Sequence, residues 1–149
     1  MFRKAIFAAL CLTVLSTAGL AQTSEHGSAA EARSMLDKAI AALHEDKAEA
    51  LKLFNDAAGA FRDRDLYVFC ANAADGTETA HPTHRGVNLN DVKDVNGHAF
   101  GAEIMKTAKE GEVDEVTYMW PRPGSDVPAE KVTFITKVED QICGVGYYK

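Results

Sequence analysis

The sequence is poor in the residues that mark specialised classes of protein. Its 149 residues include three cysteines, four prolines and one tryptophan, and 16 basic side chains stand against 22 acidic ones. The hydrophobic fraction of 46% and the charged fraction of 26% are ordinary for a globular domain. This composition excludes a wholly disordered chain, a collagen and a multi-span membrane protein. The length is enough for one domain and too short for two.

A strongly apolar run occurs at the N-terminus, and residues 1–21 have the pattern of a secretory signal peptide. Arg3 and Lys4 form a positive region, residues 5–15 form an apolar core, and residues 19–21 supply small residues for cleavage after Ala21. The alternative is an uncleaved anchor. An apolar core of 11 residues is short for that role, because a membrane span needs about 20 residues. We therefore expect a periplasmic or secreted protein.

Cleavage after Ala21 would leave 128 residues with 14 basic and 22 acidic side chains, a net charge of −8. Such an acidic protein lacks the positive surface that binds nucleic acid or anionic lipid. We expect neither a nucleic-acid partner nor membrane insertion after cleavage. Two cysteines remain, Cys70 and Cys143, in a compartment where disulfides persist. Whether they form a bridge is left open.

Two amphipathic patterns near the start of this exported chain predict helices. Ser28 and Glu31 fit a capping box, and the apolar stripe that follows continues to about Leu43. A second capping pattern begins at Asp46 and predicts helix through about Asn55. The two segments are either one kinked helix or two separate helices.

From Leu66 onward the hydrophobic period changes to two, which is typical of strands. A turn near residues 89–93 and a helix ended by Gly111 interrupt the strands. The predicted strands cover residues 66–71, 77–81, 113–120, 131–138 and 141–148. This order predicts an α+β domain with a five-stranded antiparallel sheet.

The motifs that could carry chemistry are weak. His81 and His84 are spaced like metal ligands, but no cysteine pair or third nearby histidine completes a site. No serine or cysteine lies in a nucleophile pattern, and Gly144 and Gly146 favour close packing or a bulge rather than a phosphate cradle. We therefore predict no enzymatic activity, no metal and no cofactor.

Aromatic and basic side chains on two neighbouring strands give a stronger pattern. Tyr118 and Trp120 share one face of their strand, and Lys131 shares a face with Thr133 on the next strand. Strands joined by a loop usually pair, so these side chains are expected to converge. An aromatic wall with one ammonium group suits a small organic anion, whose carboxylate would pair with Lys131.

An ordered series of short motifs carries a resemblance to a known family. The series consists of Asp65-Leu66-Tyr67-Val68-Phe69, Ala80-His81-Pro82, Gly86-Val87-Asn88-Leu89, Asp94-Val95-Asn96-Gly97, Tyr118-Met119-Trp120-Pro121, Lys131-Val132-Thr133-Phe134 and Gly144-Val145-Gly146-Tyr147-Tyr148. In this order and spacing, residues 28–148 resemble the single Cache domain family of the sCache_2 type. Members of that family are extracytoplasmic sensor domains of bacterial chemoreceptors and histidine kinases.

Residues 22–27 are few and polar, which predicts a disordered leader. The resemblance implies a single Cache domain over residues 28–149. Its expected fold is a PAS-like five-stranded antiparallel sheet with a long N-terminal helix on one face and short helices between the second and third strands. A pocket on the other face would bind a short carboxylate such as acetate, propionate, pyruvate or lactate. The implied ligand-binding residues are Tyr67, His81, Tyr118, Trp120 and Lys131.

Two functions follow as hypotheses. The first is a binding module in which Lys131 and His81 neutralise a carboxylate, so that affinity falls as pH rises through the pKa of His81. The second is an interaction subunit that modulates a membrane-bound signalling or transport partner without a ligand of its own, through an apolar patch along the N-terminal helix. One sensor domain accounts for nearly all of the predicted exported chain. We therefore expect the protein either to pass its signal to a membrane-bound receptor or kinase, or only to bind its ligand.

Overall fold

The structure is a computed structural model that describes residues 24–56 and 59–149. The predicted signal peptide at residues 1–21 lies outside the described residues. Within the described part of the chain, no helix combines the length and apolar character needed to cross a membrane.

The first described residues are bonded to the domain. The Gly27 N–H donates to Asp65 Oδ1 at 2.7 Å, and the Arg64 guanidinium donates to the carbonyl oxygen of Ser24 at 3.2 Å. Of the leader predicted to be disordered over residues 22–27, residues 22 and 23 lie outside the described residues, and Ser24 and Gly27 are hydrogen-bonded to the domain. The partners of this segment lie about 40 residues away in sequence, so its polar composition gave no sign of them.

Two helices follow, α1 (Ala29–Glu45) and α2 (Lys47–Asn55). The predicted capping box is present, because the Ser28 hydroxyl accepts from the Glu31 N–H and the Glu31 carboxylate accepts from the Ser28 N–H. Asp46 separates the helices with an extended backbone (φ −153°, ψ 97°), and its side chain accepts from the first turn of α2. The pattern therefore forms two helices rather than one kinked helix.

Six antiparallel strands form the sheet. They are β1 (Arg62–Asp63), β2 (Leu66–Asn72), β3 (Glu78–Ala80), β4 (Asp114–Pro121), β5 (Pro128–Val138) and β6 (Gln141–Tyr148). The strand order is β1-β2-β6-β5-β4, with β3 also paired to β2. The α+β fold and its five antiparallel strands are confirmed, and the two-residue β1 is an addition that was not predicted.

The strands β4 and β5 pair further than predicted. Their register continues through Trp120 opposite Ala129 to Pro121 opposite Pro128. Proline lacks an N–H and usually ends a strand, but it is tolerated at the end of an edge pairing. The loop between β4 and β5 therefore shrinks to residues 122–127.

The connection from β3 to β4 contains a short 3₁₀ helix (Leu89–Asp91) and α3 (Phe100–Thr107). The predicted short helices in this connection are confirmed. The helix predicted to reach Gly111 ends earlier, because Lys109 accepts a backbone hydrogen bond from Lys137 on β5. This pairing draws the chain out of the helix and toward the sheet.

Both faces of the sheet are covered. The helices α1 and α2 pack against one face, which includes Leu66, Val68 and Cys70 of β2. The 3₁₀ helix and α3 cover the other face, which includes Phe69. Side chains alternate between the faces of a strand, so β2 is buried from Leu66 to Ala71, as predicted for a central strand.

Cys70 and Cys143 lie opposite each other on β2 and β6, on the face that α1 covers. Their α-carbons are 4.1 Å apart, and the structure joins their sulfurs in a disulfide. Both cysteines are fully buried. The bridge links the two central strands of the sheet across 73 residues of sequence.

Candidate functional site

A cavity lies between the sheet and the β3–β4 connection, on the face opposite α1. Alternate residues of β2 and β4 form one wall, and the connection supplies the other. The lining consists of Tyr67, Phe69, Glu78, His81, His84, Val87, Leu89, Val92, Phe100, Tyr118 and Trp120. The enclosed space open to the centres of water-sized molecules is only about 40 Å³, and the figure of about 400 Å³ includes the open mouth. This leaves room for a few water molecules, so a ligand larger than the smallest acids would need the lining side chains to move apart.

Aromatic rings form the apolar wall of the cavity. The Phe100 ring on α3 stacks on the Tyr118 ring of β4, with centroids 3.8 Å apart and planes 5° apart. Trp120 meets the Phe100 ring edge-on at 5.3 Å, and its ring lies 5.9 Å from that of His84. This packing fixes the position of α3 over the sheet.

Lys131 is buried behind the cavity and is not part of its lining. Its Nζ donates to the Tyr67 hydroxyl oxygen at 2.9 Å and lies 4.2 Å from the centroid of the Tyr67 ring. Burial lowers the pKa of Lys131, and the charges of Tyr118 and Asp65 act in the opposite direction. The ammonium group contacts the cavity only through Tyr67, so the predicted direct ion pair with a ligand is not available in this geometry.

Gly146 on β6 makes room for the Lys131 side chain. A Cβ atom at position 146 would overlap Lys131 Cε and would lie 2.5 Å from Thr133 Oγ1. The same Thr133 oxygen is 2.9 Å from the Tyr118 hydroxyl. Gly146 therefore provides close packing, one of the two roles predicted for it.

His81 lies at the edge of the cavity with 9% of its surface exposed. Its Nδ1 accepts from the backbone N–H groups of Thr83 at 3.0 Å and His84 at 3.1 Å. An acceptor at Nδ1 assigns the proton of the neutral ring to Nε2.

Burial, and to a smaller extent the charges of His84 and Lys131, lowers the pKa of His81 to about 3. The ring is therefore neutral near physiological pH. This corrects the prediction that protonation of His81 attracts the ligand and that affinity falls as pH rises through its pKa.

Glu78 on β3 also lines the cavity, and only 5% of its surface is exposed. Burial raises the pKa of its carboxyl group to about 7. Its carboxyl oxygens make no hydrogen bond to any residue in the ranges 24–56 and 59–149. The cavity thus contains a carboxyl group that exchanges its proton near neutral pH.

A wider cleft adjoins the cavity and shares four lining residues with it, including Tyr67 and Trp120. Arg62, Arg122 and the loop between β4 and β5 complete the cleft. The Arg122 guanidinium lies 4.8 Å from the centroid of the Tyr148 ring. Two arginines therefore stand beside the mouth of the cavity.

The two histidines that resembled metal ligands lie side by side. The ring centroids of His81 and His84 are 4.6 Å apart. Among the residues that the structure describes, no group of three or more His, Cys, Asp or Glu side chains is placed to hold a metal ion.

Exposed apolar side chains do not form a patch on α1. In the described part of the chain, the large apolar residues that are exposed are Val87, Val95 and Val127, and all three lie in connections between elements. This surface does not favour the hypothesis of a docking face along the N-terminal helix.

Four of the five predicted site residues line the cavity, namely Tyr67, His81, Tyr118 and Trp120. Sequence reasoning missed Phe69, Glu78 and Phe100. Strand alternation contained the signal for Phe69, which lies two residues after Tyr67. Phe100 carries no such local signal, since its role depends on how α3 packs.

The family comparison covers nearly the whole chain. The model of the family described as Single Cache domain 2 matches residues 11–148.

Solved structures with the same fold include a methyl-accepting chemotaxis protein from Vibrio parahaemolyticus, which is 22% identical with a TM-score of 0.65 over 80% of this chain and 86% of that chain. The periplasmic sensor domain of a chemotaxis protein is 24% identical, with a TM-score of 0.58 over 78% and 86% of the two chains. A Cache chemosensory domain solved to explain its carboxylic acid recognition is 21% identical, with a TM-score of 0.54 over 77% and 84%.

Proposed function

The chain belongs to the Single Cache domain 2 family, and on that basis we propose that it is an exported sensor module that binds a short-chain carboxylate in the cavity between the sheet and α3. Cache domains are extracytoplasmic sensor domains that bind small ligands. The observation that carries the proposal is a small aromatic cavity with two uncharged hydrogen-bond donors at one end, Tyr67 and His81.

The Tyr67 hydroxyl is available as a donor. An ammonium group only donates hydrogen bonds, so the Tyr67 oxygen accepts from Lys131 and its own O–H remains free. Burial, the largest cause, raises the pKa of Tyr67, which keeps the proton on the hydroxyl.

His81 supplies the second donor. Because Nδ1 accepts from two backbone N–H groups, the Nε2–H is the group left for a ligand. A carboxylate oxygen accepting from the Tyr67 hydroxyl and from His81 would be held at the polar end of the cavity. The hydrocarbon part of the ligand would then pack against Phe100, Tyr118 and Trp120.

The structural neighbour whose study concerns carboxylic acid recognition supports the ligand class by analogy. Two other neighbours are chemotaxis proteins or their sensor domains. With the signal peptide predicted at residues 1–21, they support a periplasmic location and a membrane-bound receptor or kinase as the partner.

A thermal-shift screen of acetate, propionate, pyruvate and lactate tests the proposal. A ligand that binds only the folded state, at about 100 times its Kd, stabilises the protein by about 2.7 kcal/mol. We expect at least one acid to raise Tm, and we expect Tyr67→Phe and Trp120→Leu each to reduce that rise. Tyr147→Phe is the matched control, because Tyr147 packs on Phe134 on the α1 face of the sheet.

The proposed function is overturned if no acid in the panel raises Tm. The assignment of the cavity is overturned if an acid does so equally in the wild type, Tyr67→Phe and Trp120→Leu. Each rise is measured against the same variant without ligand, so a loss of intrinsic stability does not affect the comparison.

A further inference from the structure

Glu78 is the one carboxyl-bearing residue among the described residues that line the cavity. It lies opposite Ala71 of β2 and is 5% exposed. Its carboxyl oxygens have no hydrogen-bond partner among the residues of the described ranges, but they are not among the fully enclosed unpaired atoms of that part of the chain. Water therefore reaches the carboxyl group from the cavity or from the surface cleft that Glu78 also borders, and a ligand in the cavity would displace that water.

The backbone at Glu78 is fixed on both sides. Its N–H donates to the Val87 carbonyl oxygen at 2.8 Å, and its carbonyl oxygen accepts from the Gly86 N–H at 2.9 Å. The pairing with Ala71 adds a third constraint. The backbone is therefore held beside the cavity, whose lining includes the Glu78 side chain.

We propose that Glu78 couples ligand binding to proton uptake: a carboxylate ligand is held by a hydrogen bond from the protonated Glu78 carboxyl group, so that a proton enters the site with the ligand. This inference rests on the proposed function and adds a specificity-determining residue to it. The proton comes from solvent, no covalent bond changes in the ligand, and the shared proton stays in the hydrogen bond between the two carboxyl groups.

The physical reason is repulsion between like charges. Two carboxylates in contact within a poorly hydrated site cannot both remain ionised, and one of them takes a proton. Burial already raises the pKa of Glu78 to about 7, and an adjacent anion would raise it further. Binding therefore favours the protonated form, and by linkage the protonated form favours binding.

Other charged and titratable groups surround Glu78 and determine which control variants are needed. They are Tyr67 on β2, His81 and His84 after β3, Tyr118 on β4, and Lys52, Asp56 and Arg85 around a surface cleft that Glu78 also borders. Burial keeps the two tyrosines protonated and His81 neutral near pH 7. His84 lies beside His81 and also lines the cavity, so it is the residue to vary as a control.

Calorimetric titration of acetate, propionate, pyruvate and lactate from about pH 5.5 to about pH 8.5 tests the inference, because these acids stay ionised while Glu78 changes its charge. For the wild type we expect Kd to rise with pH, approaching about tenfold per pH unit above pH 7, with uptake of up to one proton per ligand. Proton uptake is measured by repeating the titration in buffers of different ionisation enthalpy. In Glu78→Gln, whose amide is a permanent neutral donor, we expect Kd to vary little with pH.

Two matched variants isolate the residue. His84→Gln, which alters the other histidine of the cavity, and Glu115→Gln, which alters an exposed carboxylate on β4, should both keep the wild-type pH dependence. The inference is overturned if the wild type binds an acid with a constant Kd, if Glu78→Gln keeps the full pH dependence, or if binding releases a proton. If no acid binds either the wild type or Glu78→Gln at any pH, the proposed function itself fails.

Discussion

Lys131 donates a hydrogen bond from Nζ to the Tyr67 hydroxyl oxygen across 2.9 Å, and this contact joins β5 to β2 behind the cavity. Lys131 is 1% exposed and Tyr67 is 8% exposed. Within the part of the chain that the structure describes, no other hydrogen bond satisfies the ammonium group. The interaction thus combines a buried charge with a single hydrogen-bond partner.

Removing the Tyr67 hydroxyl should lower the free energy of unfolding more than removing the amino group of Lys131. Tyr67→Phe leaves the ammonium group buried without its hydrogen bond, so we expect a loss of about 2 kcal/mol in the free energy of unfolding. Lys131→Met replaces the ammonium with an apolar chain of similar length, so we expect a loss of less than about 1 kcal/mol. Urea unfolding of both single variants measures the two values.

The double variant supplies the control. If the contact has the energetic role described, Tyr67→Phe should cost less in the Lys131→Met background, by about 1 kcal/mol or more. Additive costs would show that the two side chains contribute independently, and the interpretation of the contact would then be wrong.

The sequence was sufficient to predict which strands of this site lie next to each other. Strand alternation and the loop after Trp120 predicted that Tyr118 and Lys131 lie on neighbouring strands, and the register pairs these two residues directly. The depth of Lys131 was not predictable in the same way, because it depends on space left by Gly146 on a third strand. Local periodicity indicates a face of the sheet but does not indicate how far a long side chain is buried.

Glu78 shows the same difference between pattern and packing. A charged residue in a short strand is usually solvated, and its neighbours in sequence are polar. Its burial results from the β3–β4 connection, which returns over the sheet and brings Val87 and Leu89 to the cavity. Five of the six strands and the three α-helices of the described residues follow from local signals. The charged groups of the cavity instead depend on contacts made after the chain folds.

Gly146 gives a direct test of how Lys131 is accommodated. In Gly146→Ala the added methyl group would overlap Lys131 Cε and crowd Thr133. Overpacking of a filled interior costs about 1–3 kcal/mol, and we expect a loss of that size in the free energy of unfolding. Urea unfolding measures it.

Combining Gly146→Ala with Lys131→Ala should relieve the overlap. The shorter side chain leaves space for the new methyl group, so Gly146→Ala should cost less in that background than in the wild type. An equal cost in both backgrounds would mean that Lys131 is not what requires glycine at this position.

His81 predicts a contribution of defined sign to the pH dependence of stability. Burial, the largest cause, lowers its pKa in the folded state from 6.5 to about 3. Below about pH 6.5 the unfolded chain therefore binds a proton that the folded protein does not. The stability associated with the neutral ring is present above that pH and is lost as the pH falls toward 3.

We expect the wild type to lose about 2 kcal/mol more than His81→Gln between about pH 6.5 and about pH 4.5. The wild type is compared with His81→Gln because both proteins contain Glu78. Glu78 titrates over part of the same pH range and changes stability in the opposite direction, so its contribution cancels in the difference. Urea unfolding at several pH values measures the difference, and His44→Gln, which alters an exposed residue of α1, should keep the wild-type profile. Parallel profiles for the wild type and His81→Gln would show that His81 takes up a proton in the folded protein. The cavity would then carry a positive charge at its polar end, and the pH dependence of ligand binding would have to be assigned to His81 together with Glu78.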